Sequence, residues 1–170
     1  NILYSWNYAF NQNAFPGADA MPSTIADFYD TEKYPGKRAI YTSAMSNLEI
    51  ALVADGVSAK GVYEVLENQT GGVDRAIAKI EALCTDPNGG CVFWSAGAQP
   101  PELLASGEVV MATGWNGRFF NAIVGEGTTI TQVWDGQVLD YEYFGLVAGS
   151  PNQEEAMEAL RYFTGTEGLA

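Results

Sequence analysis

Indoles, amides, hydroxyls and a guanidinium gather between Trp94 and Arg118, in the run WSAGAQPPELLASGEVVMATGWNGR. An indole face holds an alkylammonium group by cation–π attraction, about 0.5–2 kcal/mol. Ser95 and Gln99 offer hydrogen bonds, and Asn116 stands beside Trp115 in WNG. Arg118 is a fork suited to carboxylate or phosphate, and if it faces a cleft it implies a ligand with an anionic group. Downstream, Glu142 lies in DYEYF, where a carboxylate among aromatic neighbours is poorly solvated without a cationic partner. Asp140 shares its strand face and is the weaker candidate. Ser43 and Ser46 in YTSAMSNLE, and Trp6 with Tyr4 near the start, complete the ligand-binding candidates. No nucleophile–base pair is evident: the chain has no His and no GxSxG, P-loop, HExxH or Cys–His arrangement. The pattern is that of holding a small molecule rather than transforming it, so the chain is not read as an enzyme.

Strand ends must present these residues. VVMATGW is a near-continuous apolar run, as in a strand buried on both faces, and Trp115 stands at its end. Asn1–Phe10 alternates with Tyr4, Trp6, Tyr8 and Phe10 on one side, a strand pattern. NQNAFPGADAMP reads as a loop. Ser23 or Thr24 caps a short helix IADFYD, and AIYTS is a strand. Asn47 is expected to cap LEIALVAD, and Ser58 a further helix to about Glu67. In GGVDRAIAKIEALC the residues Val73, Ile77, Ile80 and Leu83 form the expected buried stripe. VFW is a strand, PPELLAS a helix with Pro at its start, and GRFFNAIVGEG another helix. TTITQVW and LDYEYFGLVAG read as strands separated by a DGQ turn. A last helix starts with Ser150 as cap and Pro151 at its first position. Strands alternating with helices imply an α/β fold, a mixed, mostly parallel sheet with helices on both faces.

At 170 residues the chain has room for one domain's core, and its balance of 8 basic against 21 acidic residues gives a net charge of −13. That excludes nucleic acid and anionic membrane as partners and suits a cationic ligand. No apolar run is long enough for a membrane span, so no direct membrane insertion is expected. The opening shows neither a start Met nor a signal peptide and reads as the middle of a longer protein. Cys84 and Cys91 flank TDPNGG, whose turn chemistry permits a disulfide and so an oxidising compartment; two reduced thiols are the alternative. With no His and one Cys pair, no metal site is expected, and no cofactor. With 21 acidic residues, a carboxylate-dependent hydrolase is the enzymatic alternative, and a ligand-free interaction module is a third.

The segments IADFYDTEKYPGKRAIY, LEIALVADGV, VDRAIAKIEAL, SAGAQPPELLASGEVVMATGWNGR and YEYFGLVAGSPNQEEAMEALRYFT together resemble the periplasmic solute-binding proteins of ABC importers, in the polyamine (spermidine/putrescine) branch. The resemblance implies a type II periplasmic-binding-protein-like lobe. Residues 1–10 would be a hinge-crossing strand, 11–138 the second lobe, and 139–170 the return strand and a helix of the other lobe. It also implies a monomer in the periplasm that captures a small cationic, polyamine-like solute and delivers it to the permease membrane subunits. A zwitterionic or anionic solute is the alternative. The polyamine binders carry a Trp at the place of Trp115, an acid at that of Glu142, and acids in the loop where this chain has Ser43 and Ser46.

Overall fold

The computed structural model describes residues 2–16 and 21–169; Asn1 and part of the loop following the first strand lie outside them. The chain divides into two compact units, Ser5–Leu139 and the smaller pair of segments Asn1–Tyr4 and Asp140–Ala170.

The larger unit is built on a five-stranded sheet in the order β3-β2-β4-β1-β5. Its strands are β1 (Ile2–Asn11), β2 (Arg38–Tyr41), β3 (Cys91–Trp94), β4 (Met111–Trp115) and β5 (Ile130–Glu142). Strand β2 runs parallel to β3 and β4, whereas β1 is antiparallel to β4 with Trp6 opposite Trp115. The sheet is therefore mixed, as the alternation of elements predicts, and helices flank it. Central placement explains why β1 and β4 are apolar or small almost throughout: residues 5–11 and 111–114 are all buried.

The helices are α1 (Ile25–Tyr29), α2 (Asn47–Ala54), α3 (Val62–Asn68), α4 (Gly72–Thr85), α5 (Gln99–Ala105) and α6 (Asn116–Phe120). A π-helical turn, Asn121–Gly125, extends α6. Thr24 caps α1 in a reciprocal capping box with Asp27. The smaller unit carries α7 (Gln153–Phe163) and α8 (Thr166–Leu169), and the Tyr4 hydroxyl donates to Asp140 there at 2.8 Å.

Four local expectations are corrected. Ser46, in the left-handed conformation at φ 62°, precedes α2, and Asn47 is its first residue, its amide donating to the Tyr41 and Ser43 carbonyls at 2.7 Å each. DGQ is not a turn: Gly136 takes φ +69° inside the unbroken β5, and a Cβ there would stand 2.5 Å from that of Ile25. The strand ends at Glu142, so 143–146 is not strand. Finally, α7 starts after Asn152, while Ser150 accepts from the Asn152 amide across a turn.

On α4, Val73 and Ile77 are each 41% exposed, and the buried positions are Gly72, Ala76 and Leu83. Small residues let this helix approach its neighbours: a Cβ at Gly72 would strike the Val65 carbonyl on α3. Leu83 is buried and Ile80 packs half-buried against the Ala51, Leu52, Val62, Val65 and Ala76 cluster, as the apolar spacing predicts, whereas Val73 and Ile77 fall at its margin. On the opposite margin Arg75 and Lys79 pair with Asp55 just beyond α2 at 2.7 and 3.5 Å. Ser58 precedes a 3-10 turn, Ala59–Gly61, that leads into α3, and makes no side-chain capping bond.

Cys84 and Cys91 are joined in a disulfide, with Cα atoms 4.7 Å apart, tying the end of α4 to the start of β3. Closing so short a loop restricts the unfolded chain, and reduction is expected to lower stability by about 2 kcal/mol. Denaturant unfolding with and without reductant measures this; superimposable curves would contradict it.

Candidate functional site

The last residues of three neighbouring parallel strands are aromatic: Tyr41 on β2, Trp94 on β3 and Trp115 on β4. Trp6, on the antiparallel β1, joins them because it pairs with Trp115. Tyr41 lies 4.7 Å from Trp94 and 5.2 Å from Trp6 between ring centroids. Trp115 meets Trp6 and Trp94 edge to face at 5.5 and 5.7 Å. Such geometry suits the aromatic quadrupoles and makes the group a rigid unit. Trp6 and Trp94 are buried, 2% and 1% exposed, and form its floor; Tyr41 and Trp115 are half-buried and reach the surface. The carboxyl ends of parallel strands are where open α/β sheets receive ligands.

The indole N–H groups of Trp6, Trp94 and Trp115 are all buried and donate to no acceptor among the described residues. Buried donors are ordinarily satisfied, so three unused ones in a single cluster form an unusual concentration of hydrogen-bonding capacity.

Loop 95–98 lies against this group. A methyl at Gly97 would strike Trp115 Cζ3 and stand 3.4 Å from Arg118 Nε, so only glycine fits between the indole and the guanidinium. Arg118 is exposed and lines a recess of about 160 Å³ with Glu102, Asn121 and Glu126. Gly97→Ala is expected to displace the Trp115 ring, seen as a change in tryptophan fluorescence; an unchanged spectrum would contradict the contact.

The remaining candidates are placed as follows. Gln99 turns its side-chain oxygen inward, accepting from the Ser95 and Ala96 amides at 2.9 and 2.8 Å, and so shapes the loop itself. Ser95 is exposed on that loop. Asn116 Oδ1 accepts from the Ser5 amide at 3.0 Å, locking the start of α6 to β1. Ser43 is exposed and its hydroxyl accepts from the Met45 amide at 3.3 Å, whereas Ser46 is buried. Glu142, exposed at the end of β5, belongs to the smaller unit. Tyr41 was not among the expected residues; its place as the terminal residue of a short strand before a Ser-rich loop is the signal that points to it.

Residues 2–170 match the sequence model of the family described as bacterial extracellular solute-binding protein. A gamma-aminobutyric acid-binding protein of Pseudomonas aeruginosa is 40% identical over 94% of this chain and 43% of its own length. The PBP MotA from A. tumefaciens B6, solved with glucopine, has a TM-score of 0.84 at 33% identity, over 99% of this chain and 50% of that one. A GABA receptor structure has a TM-score of 0.81 at 31% identity, over 98% and 48%. These neighbours share the type II periplasmic-binding-protein-like fold. A spermidine/putrescine-binding protein from Streptococcus pneumoniae, at 14% identity and a TM-score of 0.56, shares the fold alone. The chain spans about half the length of the relatives it matches.

Proposed function

We propose that this chain, which belongs to the bacterial extracellular solute-binding protein family, is part of a periplasmic receptor that captures a small zwitterionic amino acid of the γ-aminobutyrate type and delivers it to an ABC permease. The observation that carries this reading is the meeting of indole and guanidinium at one glycine: Trp115 and Arg118 both reach the position of a Gly97 side chain. One small molecule can therefore touch both. Arg118 takes the carboxylate as a fork, and the aromatic faces of Trp115 and Tyr41 take the ammonium-bearing chain. Ser95 and Ser43 line the rim of the site. The names of the 40% identical relative and of the GABA receptor structure support this ligand class.

A polyamine has no group for Arg118. The ammonium half of the polyamine reading is kept; its second ammonium is replaced by a carboxylate. Binding draws the two lobes of such receptors together around a largely preformed site, and the permease reads the closed form.

Charge-assisted bonds to a buried carboxylate contribute about 1.5–3 kcal/mol. Arg118→Ala in the full-length protein is thus expected to weaken γ-aminobutyrate binding by about 10- to 100-fold. Calorimetric titration measures this, and undiminished affinity would remove the guanidinium from the site.

A further inference from the structure

We infer that Asn88 is a modification site, where the folded chain deamidates spontaneously through a cyclic imide, and that Asn116 is protected from the same reaction. The sequence holds two Asn-Gly dipeptides, Asn88–Gly89 and Asn116–Gly117. Both have the chemistry for it, because glycine has no Cβ to shield its amide nitrogen from the preceding side chain. The structure separates them.

In the reaction the Gly89 nitrogen attacks Cγ of Asn88. A C–N bond forms, the Cγ–Nδ2 bond breaks, and the Gly89 amide proton leaves with the side-chain nitrogen as ammonia. Water then opens the imide ring at either carbonyl, giving aspartate or isoaspartate. No other co-reactant is needed. Ring closure requires the ψ and χ1 angles of the asparagine to rotate together, so its side chain must be free to turn.

Asn88 meets that demand. It is exposed in the TDPNGG turn between Cys84 and Cys91, and its side-chain amide makes no hydrogen bond among the described residues. Its anchors are backbone groups: its N–H donates to Asp86 Oδ1 and its carbonyl accepts from the Gly36 amide, each at 2.7 Å. The Gly89 N–H donates to the Asp86 carbonyl at 3.0 Å, and this bond must open before the nitrogen attacks. A single bond in a surface turn opens locally without unfolding of the core.

Asn116 does not meet it. It is half-buried at the first position of α6, and its Oδ1 accepts from the Ser5 amide at 3.0 Å. Its carbonyl accepts from the Gln132 side chain, also at 3.0 Å. Turning toward Gly117 breaks both bonds, and Ser5 begins the buried stretch of β1, so reaction there waits on a larger opening.

Either product places a new carboxylate beside Asp86. Isoaspartate also lengthens the backbone of the disulfide-closed loop that leads into β3. Trp94 stands at the other end of that strand, so the inference is independent of the solute proposed above.

The test incubates the full-length protein, its disulfide intact, at mildly alkaline pH, in buffer and in urea. Mass spectrometry of the peptides follows loss of each amide and separates isoaspartate from aspartate. Dividing the rate in urea by the rate in buffer gives each site's protection and removes the intrinsic difference between the two sequences. Protection at Asn116 is expected to exceed that at Asn88 by at least about tenfold, with isoaspartate appearing at position 88 in the folded protein. A smaller ratio, faster loss at Asn116, or an Asn88 amide that reacts in urea but persists in buffer would overturn the inference.

Discussion

Trp115→Ala in the full-length protein is expected to weaken solute binding by at least about 30-fold, the 2 kcal/mol or more typical of a buried aromatic anchor. Two losses combine. The cation–π face disappears, about 0.5–2 kcal/mol. The cluster also loses the ring that meets both Trp6 and Trp94 edge to face, so Gly97 and its loop lose their support. Trp115→Phe keeps an aromatic face and is expected to recover much of the affinity. Titration of both variants checks this. Equal weakening by Phe and Ala would mean that indole shape or the N–H, rather than the aromatic face, carries binding; wild-type affinity in Trp115→Ala would place the solute elsewhere.

Arg38→Met is expected to destabilise the fold by about 3–5 kcal/mol while leaving the chemistry of the site intact. Arg38 starts β2, whose other end carries Tyr41, and its guanidinium is fully buried. It donates to the carbonyls of Phe28 at 3.0 Å and Asp30 at 3.3 Å, and to that of Gly36. These bonds bind the end of α1 and the following turn to the sheet. Burial pulls the guanidinium down to about 10, so it remains charged at neutral pH. Methionine fills the space of the stem but removes the donor to the Phe28 and Gly36 carbonyls, each loss costing about 1 kcal/mol or more, while the Asp30 carbonyl keeps the Tyr34 amide at 3.1 Å. Urea unfolding measures the loss; a midpoint within about 0.5 kcal/mol of wild type would show that the carbonyls find other donors.

The positions of the elements were legible wherever local chemistry decides them. Thr24 with Asp27 announces the start of α1, and VVMATGW announces a central strand. Reading failed where a tertiary neighbour overrides local preference. Asp-Gly at 135–136 carries a turn signal, yet the strand passes through it with Ile25 packed at Gly136. Val73 and Ile77 have the spacing of a core stripe, yet the small residues Gly72 and Ala76 take the buried face beside them and leave both 41% exposed. Likewise, Ser46 and Asn47 are both good capping residues, and the carbonyls of Tyr41 and Ser43 decide which one enters the helix.

At the site, the placing of Trp115 at a strand end was legible from the apolar run VVMATGW. The aromatic cluster as a whole was not, because its members stand on four strands and only the sheet order unites Trp6, Tyr41, Trp94 and Trp115. Gln99 and Asn116 show the opposite limit. Their amides have the right chemistry for a solute, but the structure uses them to hold the 95–98 loop and the start of α6.

The most direct test of the central claim is calorimetric titration of the full-length protein with γ-aminobutyrate and, separately, with putrescine. Both present an ammonium on a short chain, and they differ in whether the far end is a carboxylate or a second ammonium. Tight binding of γ-aminobutyrate with little heat from putrescine is the predicted result. Preference for putrescine would contradict it, returning the site to a dication and removing Arg118 from the ligand.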